Sequence, residues 1–113
     1  MIGANGQIGS ELAMALRRKF GNENVITSDI REPMALKEGE IFETINVLDK
    51  QALHALLEKH KPTQIYLLAA MLSATGEQYP QKAWDLNING LLNILDLSLE
   101  LGIKKIFWPS SIA

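Results

Sequence analysis

The 113-residue sequence contains no cysteine, which excludes a disulfide, a thiolate metal site and a cysteine nucleophile. Neither sign of charge is in large excess, since 11 basic and 13 acidic residues leave a net charge of −2. The densest basic run, Arg17-Arg18-Lys19, is interpreted as a solvated helix end and not as a nucleic-acid patch. His54 and His60 have no partners at ligand spacing, so no metal site is predicted. With no apolar run near the roughly 20 residues of a membrane span, we expect a cytoplasmic protein that binds neither nucleic acid nor membrane.

A glycine pattern at the beginning of the chain is the most informative feature that is present. Gly3, Gly6 and Gly9 form a G-x-x-G-x-x-G loop at the start of an apolar helical pattern, and Asp29 follows 20 residues after Gly9. Glycines let backbone N–H groups approach a pyrophosphate, and the start of a helix favours an anion. The alternative is a plain glycine-rich turn. We predict a nucleotide-phosphate site whose members are Gly3, Gly6, Gln7, Ile8 and Gly9.

Four residues that follow predicted strands are candidates for the nucleoside end of the same site. Asp29 can accept hydrogen bonds from both ribose hydroxyls and would repel a 2′-phosphate, which favours NAD over NADP. Arg31 weakens that preference, because an arginine can accommodate the phosphate. Asn46 and the Val47 backbone are predicted to lie at the adenine edge. Asp29 could instead cap a turn, and Asp49 is a good helix N-cap.

Short apolar runs alternate with amphipathic helical patterns along the chain. The predicted helices and strands, in separate groups, are Gln7–Phe20, Lys50–His60 and Gln81–Leu101, then Val25–Ser28, Ile41–Ile45, Ile65–Ala70 and Ile103–Trp108. This alternation predicts an α/β fold of Rossmann type, a doubly wound parallel sheet. Its first strand is reduced to Met1 and Ile2, so we expect an incomplete, partial NAD-binding domain over residues 1–113. The loss should leave neighbouring strands with unpaired backbone groups.

The helical patterns also predict which faces are buried. In the first helix Ile8, Leu12, Ala13, Leu16 and Phe20 share one face, and in the second Leu53, Leu56 and Leu57 point inward. The last helix has two apolar stripes, whereas packing on a sheet requires only one. We therefore predict a homodimer through this helix, with burial under segments outside these 113 residues as the alternative. The two stripes are Trp84, Ile88, Leu91, Leu92, Leu95 and Leu99, and Leu86, Ile94, Leu97 and Leu101.

The end of the fourth predicted strand and the loop after it supply further candidates. Ala69 and Ala70 are small enough for a cofactor to lie against the backbone, although ordinary close packing explains them equally well. Ser73, Thr75 and Glu77 are candidates for contact with a small polar substrate, and solvation is the alternative.

The glycine loop, Asp29, Asn87-x-x-Gly90 and Pro109-Ser110-Ser111 together resemble the extended short-chain dehydrogenase/reductase family, the NAD-dependent epimerases and dehydratases. UDP-galactose 4-epimerase is a familiar member. The stretches 3–9, 24–31, 70–74 with 76–77, and 85–90 resemble most its L-threonine 3-dehydrogenase branch. The resemblance implies NAD as cofactor and oxidation of L-threonine to 2-amino-3-ketobutyrate. A nucleotide-sugar epimerase or dehydratase, or a non-catalytic dinucleotide-binding protein, remains an alternative.

The resemblance also assigns roles to individual residues. Ser111 corresponds to the catalytic hydroxyl that contacts the reacting oxygen of the substrate, and Ser73 to the substrate-contacting loop. Asn87 corresponds to an asparagine that orders the helix near the active site and is counted with the cofactor site. The family's Tyr-x-x-x-Lys pair and its substrate domain are not found within residues 1–113. We expect the 113-residue chain by itself to fold poorly and to lack dehydrogenase activity, which measurable threonine turnover would contradict.

Overall fold

The computed structural model describes residues 1–5, 7–33, 36–68, 81 and 88–108. Its longer helices are α1 (Gln7–Phe20), α2 (Lys50–His60) and α3 (Gly90–Leu101), and a short 3-10 turn covers Asn22–Asn24. Its strands are β1 (Ile26–Asp29), β2 (Ile41–Thr44), β3 (Gln64–Tyr66) and β4 (Lys105–Phe107). The order of helices and strands agrees with the alternation predicted from the sequence.

The strands form a parallel arrangement that is centred on Ile2. β1 pairs with β2, and β3 pairs with β4, both in parallel. Ile2 forms parallel bridges to Ser28 within β1 and to Leu67 directly after β3. Its N–H donates to the Tyr66 carbonyl at 2.8 Å, and its carbonyl accepts from Leu68 N–H at 2.7 Å. Ile2 therefore joins the two pairs, which confirms the Rossmann-type fold with its much shortened first strand in the middle.

The ends of the strands differ from the predicted ones. Pairing between β3 and β4 begins at Gln64↔Lys105 and ends at Tyr66↔Phe107, so each strand is shorter than the predicted one. An apolar run indicates which residues are buried, whereas the length of a strand is set by its register with the partner strand. The predicted ends of the earlier run, Ala69 and Ala70, lie outside the described residues.

The core lies between the central strands, α2 and α3. Leu53 and Leu57 of α2 are buried and Leu56 packs against the same cluster, as their spacing predicts. Ile94 and Leu97 of α3 are 0% and 1% exposed. The cluster consists of Ile2, Ile45, Val47, Leu53, Leu57, Ile65, Leu67, Ile94 and Leu97.

The predicted apolar face of α1 is only partly buried. Ala13 is 3% exposed, but Ile8 is 71% exposed and Phe20 is 42% exposed. At about 1.5 Å per residue in a helix and 3.3 Å in a strand, α1 is roughly 21 Å long and β1 roughly 13 Å. The helix is therefore longer than the strand beside it, and the apolar residues of its two ends are not covered.

The interpretation of Arg17 as part of a solvated helix end is wrong. Its guanidinium forms an ion pair with Glu40 at 3.2 Å, with side-chain exposures of 13% and 14%. It also donates to the Thr27 hydroxyl at 3.3 Å. Arg18 and Lys19 are exposed, as predicted. Of these three basic residues, Arg17 alone lies on the side of α1 that meets β1 and the residues before β2. Its partners are therefore determined by the tertiary fold.

Glu43 on β2 is expected to make stability depend on pH. Burial raises the pKa of its carboxyl, but hydrogen bonds and charges from His60 and Lys59 outweigh burial and lower the pKa overall. A folded-state pKa below the unfolded value of about 4.3 stabilises the protein above that pH, and this contribution is lost as pH falls through the folded pKa. We expect Glu43→Gln to lower the free energy of unfolding at pH 7 by about 1 kcal/mol, since solvent screens the partly exposed ion pair, and to flatten its acid dependence.

Urea unfolding between pH 3 and pH 7 tests this expectation, with those limits chosen to bracket the ordinary carboxyl pKa of about 4.3. The matched control is Glu58→Gln. Glu58 faces His54 at 3.7 Å and its side chain is 60% exposed, so its removal should change stability by less than about 0.5 kcal/mol. If the free energy of unfolding fell with decreasing pH equally steeply in the wild type and in Glu43→Gln, the lowered pKa of Glu43 would be contradicted.

Candidate dinucleotide-binding site

The glycine loop is anchored to the end of β1. Gly3 has φ of 91°, a conformation that residues with a side chain rarely adopt. Its N–H and that of Ala4 both donate to the Ser28 carbonyl, at 2.9 and 3.0 Å. The chain leaves the centre of the sheet in this turn and enters α1 at Gln7. Gly3 therefore has the role that a phosphate-binding turn requires of its first glycine.

Gly9 allows α1 to pack directly on the loop. A Cβ at this position would contact the carbonyl oxygen of Gly3 and would lie 2.9 Å from that of Ala4. Both neighbours are backbone atoms, so no side-chain movement could relieve the contact. The first turn of α1 contains no acidic residue, so its positive end is left for an anion. Ile8 lies exposed in this turn, at the position predicted to face a pyrophosphate.

The Asp29 carboxylate lies beside the glycine loop and is fixed by two backbone donors. One oxygen accepts from Asn5 N–H at 2.9 Å, and the other accepts from Ile30 N–H at 2.7 Å. The bond to Ile30 is the turn cap that the sequence leaves open as an alternative. The bond to Asn5 joins residues 24 apart and is not needed for a cap. Each oxygen keeps a second lone pair for a ribose hydroxyl.

A cavity of about 580 Å³ borders this carboxylate. Its lining includes Asn5, Asp29 and Arg31, together with the Arg17–Glu40 ion pair. Its volume is in the range of small-ligand sites. Arg31 is exposed, so both residues predicted to influence a 2′-phosphate face the same space.

Asn46 and Val47 lie at the same edge of the sheet as Asp29. The Asp29 carbonyl accepts from Ile45 N–H at 2.9 Å, which places the chain after β2 beside the end of β1. Asn46 is exposed, and its side-chain oxygen accepts from Leu48 N–H at 3.0 Å in an Asx turn. Val47 is 3% exposed, so its side chain belongs to the core and its backbone is the part that can meet a ligand.

Two contacts of Val47 could not be predicted from the sequence. A Cβ on Gly90 would lie 2.9 Å from Val47 Cγ1, so the start of α3 packs tightly on this residue. The Asn93 side chain donates to the Val47 carbonyl at 3.0 Å across 46 residues. The only signal was the glycine of Asn87-x-x-Gly90, since nothing in the spacing relates Asn93 to Val47. The side-chain link from Asn5 to Arg31 was missed for the same reason.

Several predicted site residues lie outside the described part of the chain, and the side chain of Gln7 does too. Their assignments stay predictions from the sequence and from the family resemblance. These residues are Gly6, Ala69, Ala70, Ser73, Thr75, Glu77, Asn87 and Ser111.

A glycine loop between a central strand and a helix, with a carboxylate at the end of the adjacent strand, defines the class of dinucleotide-binding Rossmann domains. Gly3, Gly9 and the oriented Asp29 fit the pyrophosphate and ribose of such a cofactor. The model of the NAD dependent epimerase/dehydratase family matches residues 1–113, and the chain belongs to this family. Its cofactor is NAD.

Similar proteins share this domain at high identity. An uncharacterized epimerase/dehydratase of Staphylococcus saprophyticus is 48% identical over 115 aligned positions, which cover 99% of this chain and 35% of that protein. A GalE-like L-threonine dehydrogenase from Cupriavidus necator, solved in its holo form, is 52% identical with a TM-score of 0.91, over 97% of this chain and 35% of that one. L-threonine dehydrogenase from Clostridium difficile is 45% identical with a TM-score of 0.92, over 99% and 35%. The chain thus spans about a third of the length of its relatives.

No helix within the described ranges, residues 1–68 without 6, 34 and 35, together with 81 and 88–108, is long and apolar enough to span a bilayer. Nor do three or more histidine, aspartate or glutamate side chains in these ranges cluster as metal ligands would.

Proposed function

We propose that the whole protein is an NAD-dependent oxidoreductase that oxidises L-threonine at Cβ to 2-amino-3-ketobutyrate. The observation that carries this proposal is the identity of 52% and 45% to two solved L-threonine dehydrogenases over nearly all of this chain. The oriented Asp29 carboxylate supports NAD as the dinucleotide. A cytoplasmic location stays a prediction from composition.

The chain's own residues supply binding and orientation in this reaction. The start of α1 and the loop at Gly3 would hold the pyrophosphate, and Asp29 the adenosine ribose. Bound NAD would supply the acceptor for the hydride that leaves Cβ, and by the family resemblance the hydroxyl proton would pass to the tyrosine of the Tyr-x-x-x-Lys pair, which is not found within residues 1–113. By the family resemblance, the Ser111 hydroxyl would donate a hydrogen bond to the substrate oxygen as it changes from alcohol to ketone. Ser73 would contact the rest of the amino acid.

The test is carried out on the full-length protein with NAD and two substrate classes. NADH formation that depends on L-threonine supports the proposal. Interconversion of UDP-hexoses without net NADH formation would instead support a nucleotide-sugar epimerase. NAD binding with neither reaction would favour a non-catalytic dinucleotide-binding protein. Ser111→Ala should lower turnover about 100-fold and leave NAD affinity unchanged. Ser110→Ala, the control, should leave turnover unchanged.

We further propose that the protein is a homodimer that is joined through α3. The described part of this helix has apolar residues on two sides, although Leu91, predicted in the same stripe as Leu92, packs against the core. Ile94 and Leu97 face the core, while Leu92, Leu95 and Leu99 are 48%, 40% and 85% exposed. Residues at spacings of three and four form one continuous stripe along the helix. Pairing with the same stripe of a second copy would bury it around a two-fold axis.

Leu99→Arg is expected to convert this dimer to a monomer, because it would place a charge at the most exposed residue of the stripe. Light scattering after size-exclusion chromatography measures the mass. Leu36→Arg, at a leucine that is 50% exposed in the loop before β2, should leave the dimer intact. A monomeric wild type, or a Leu99→Arg variant that is still dimeric, would contradict the proposal.

A further inference from the structure

The Asn5 side chain connects the glycine loop to the segment that carries Asp29. Its amide nitrogen donates to the Arg31 carbonyl at 2.6 Å, across 26 residues. Its backbone N–H donates to the Asp29 carboxylate at 2.9 Å. Any residue except proline could make the backbone bond, but the side-chain bond depends on the asparagine amide.

These two bonds hold the segment that decides between NAD and NADP. Asp29 and Arg31 have opposite effects on a 2′-phosphate, since the carboxylate repels it and the guanidinium attracts it. NAD requires the carboxylate to stay where the structure holds it, beside the ribose. Arg31 already borders the same cavity, so NADP requires the carboxylate to move away from the 2′-position, which is a shift of the backbone that carries residues 29–31. A bond to the Arg31 carbonyl favours the first arrangement and opposes the second.

We propose that Asn5 is a positioning residue for cofactor specificity, whose side-chain bond to the Arg31 carbonyl favours NAD over NADP. The proposal rests on NAD as the cofactor and is independent of the substrate that is oxidised. A ligand shifts a conformational equilibrium only by its differential affinity for the two states. Loss of the bond should therefore change the two affinities by different factors. A loop with a purely structural dependence on Asn5 would weaken both equally.

The chain offers a matched control in Asn24. Its side-chain amide also donates to a backbone carbonyl, that of Phe20, also at 2.6 Å and also in an exposed setting. Asn24 lies before β1, at the opposite end of that strand from Asp29. Asn24→Ala therefore removes the same kind of bond at a distance from the cofactor site.

The experiment measures the dissociation constants of NAD and NADP for the full-length protein by calorimetry. Asn5→Ala should weaken NAD about fivefold, the effect of one neutral hydrogen bond, without weakening NADP. The ratio of the NADP dissociation constant to the NAD dissociation constant should fall by the same factor. Asn5→Ser, whose hydroxyl is too short for the Arg31 carbonyl, should repeat this result, and Asn24→Ala should leave both constants unchanged.

Thermal unfolding of the apoprotein separates this effect from general destabilisation, since Asn5→Ala and Asn24→Ala should lower the midpoint alike. An unchanged ratio in both Asn5 variants, with tight NAD binding by the wild type, would overturn the positioning role alone. Failure of the wild type to bind NAD would overturn the cofactor assignment and the positioning role together. Lack of activity with L-threonine would bear only on the proposed reaction.

Discussion

Gly9→Ala is expected to lower the free energy of unfolding by about 3 kcal/mol, the upper range for overpacking, and to abolish measurable NAD binding. The added Cβ would contact the Gly3 carbonyl oxygen and lie 2.9 Å from that of Ala4. Because these are backbone atoms, either α1 or the glycine loop would have to move. Helix propensity alone predicts the opposite sign, a gain of about 1 kcal/mol, so the direction of the change identifies the steric cause.

Gly102→Ala is the control for this prediction. Gly102 ends α3 with φ of 73°, and an added Cβ would meet nothing within 4 Å. It should cost about 1 kcal/mol of backbone strain and leave NAD affinity unchanged. Chemical unfolding and NAD titration of both variants provide the comparison. A Gly9→Ala protein that is as stable as the wild type and binds NAD normally would show that the helix and loop pack less closely than described.

Asp29→Asn is expected to weaken NAD binding about 10- to 100-fold, the effect of losing charge-assisted hydrogen bonds. The substitution keeps the shape of the side chain, removes the negative charge beside the ribose and leaves one acceptor oxygen in place of the two that bind Asn5 N–H and Ile30 N–H. NADP affinity should rise, because the charge that repels a 2′-phosphate is gone while Arg31 borders the same cavity. Titration with both dinucleotides measures the two effects.

Asp49→Asn is the matched control, because Asp49 is also an aspartate that accepts from a backbone N–H, that of Ala52 at 3.2 Å. It caps α2, and asparagine is nearly as good an N-cap as aspartate. Both affinities should be unchanged in this variant. If Asp29→Asn bound NAD as tightly as the wild type, Asp29 would be reduced to the turn cap that it provides for Ile30.

The two helices that the sequence predicts best are those with local start and stop signals. α1 and α2 have the predicted bounds. Asp49 caps the start of α2, and Gly21 adopts φ of 89° directly after α1. Such signals lie within a few residues of the element that they limit. Strand ends depend on a distant partner, so the ends of the strand that begins near Gln64 were predicted less well.

The candidate site shows the same division. The glycine spacing and Asp29 are enough to predict a dinucleotide site, because the chemistry requires these residue types at these distances along the chain. That spacing does not reveal which atoms hold the Asp29 carboxylate in place. Asn5, Asn93 and Gly90 act through contacts with residues 24 or more positions away. Such contacts exist only after the strands have paired.

By itself, the sequence determined the α/β class, the helices α1 and α2, the position of the phosphate-binding turn and the carboxylate that favours NAD. Each of these follows from residue type, periodicity or short-range spacing. Tertiary structure alone decided that Ile2 joins two strand pairs, that Arg17 pairs with Glu40, and that Asn5 links the glycine loop to Arg31. The physical reason is that hydrogen bonds and ion pairs between distant segments depend on register and distance in the folded chain, and no local pattern encodes either.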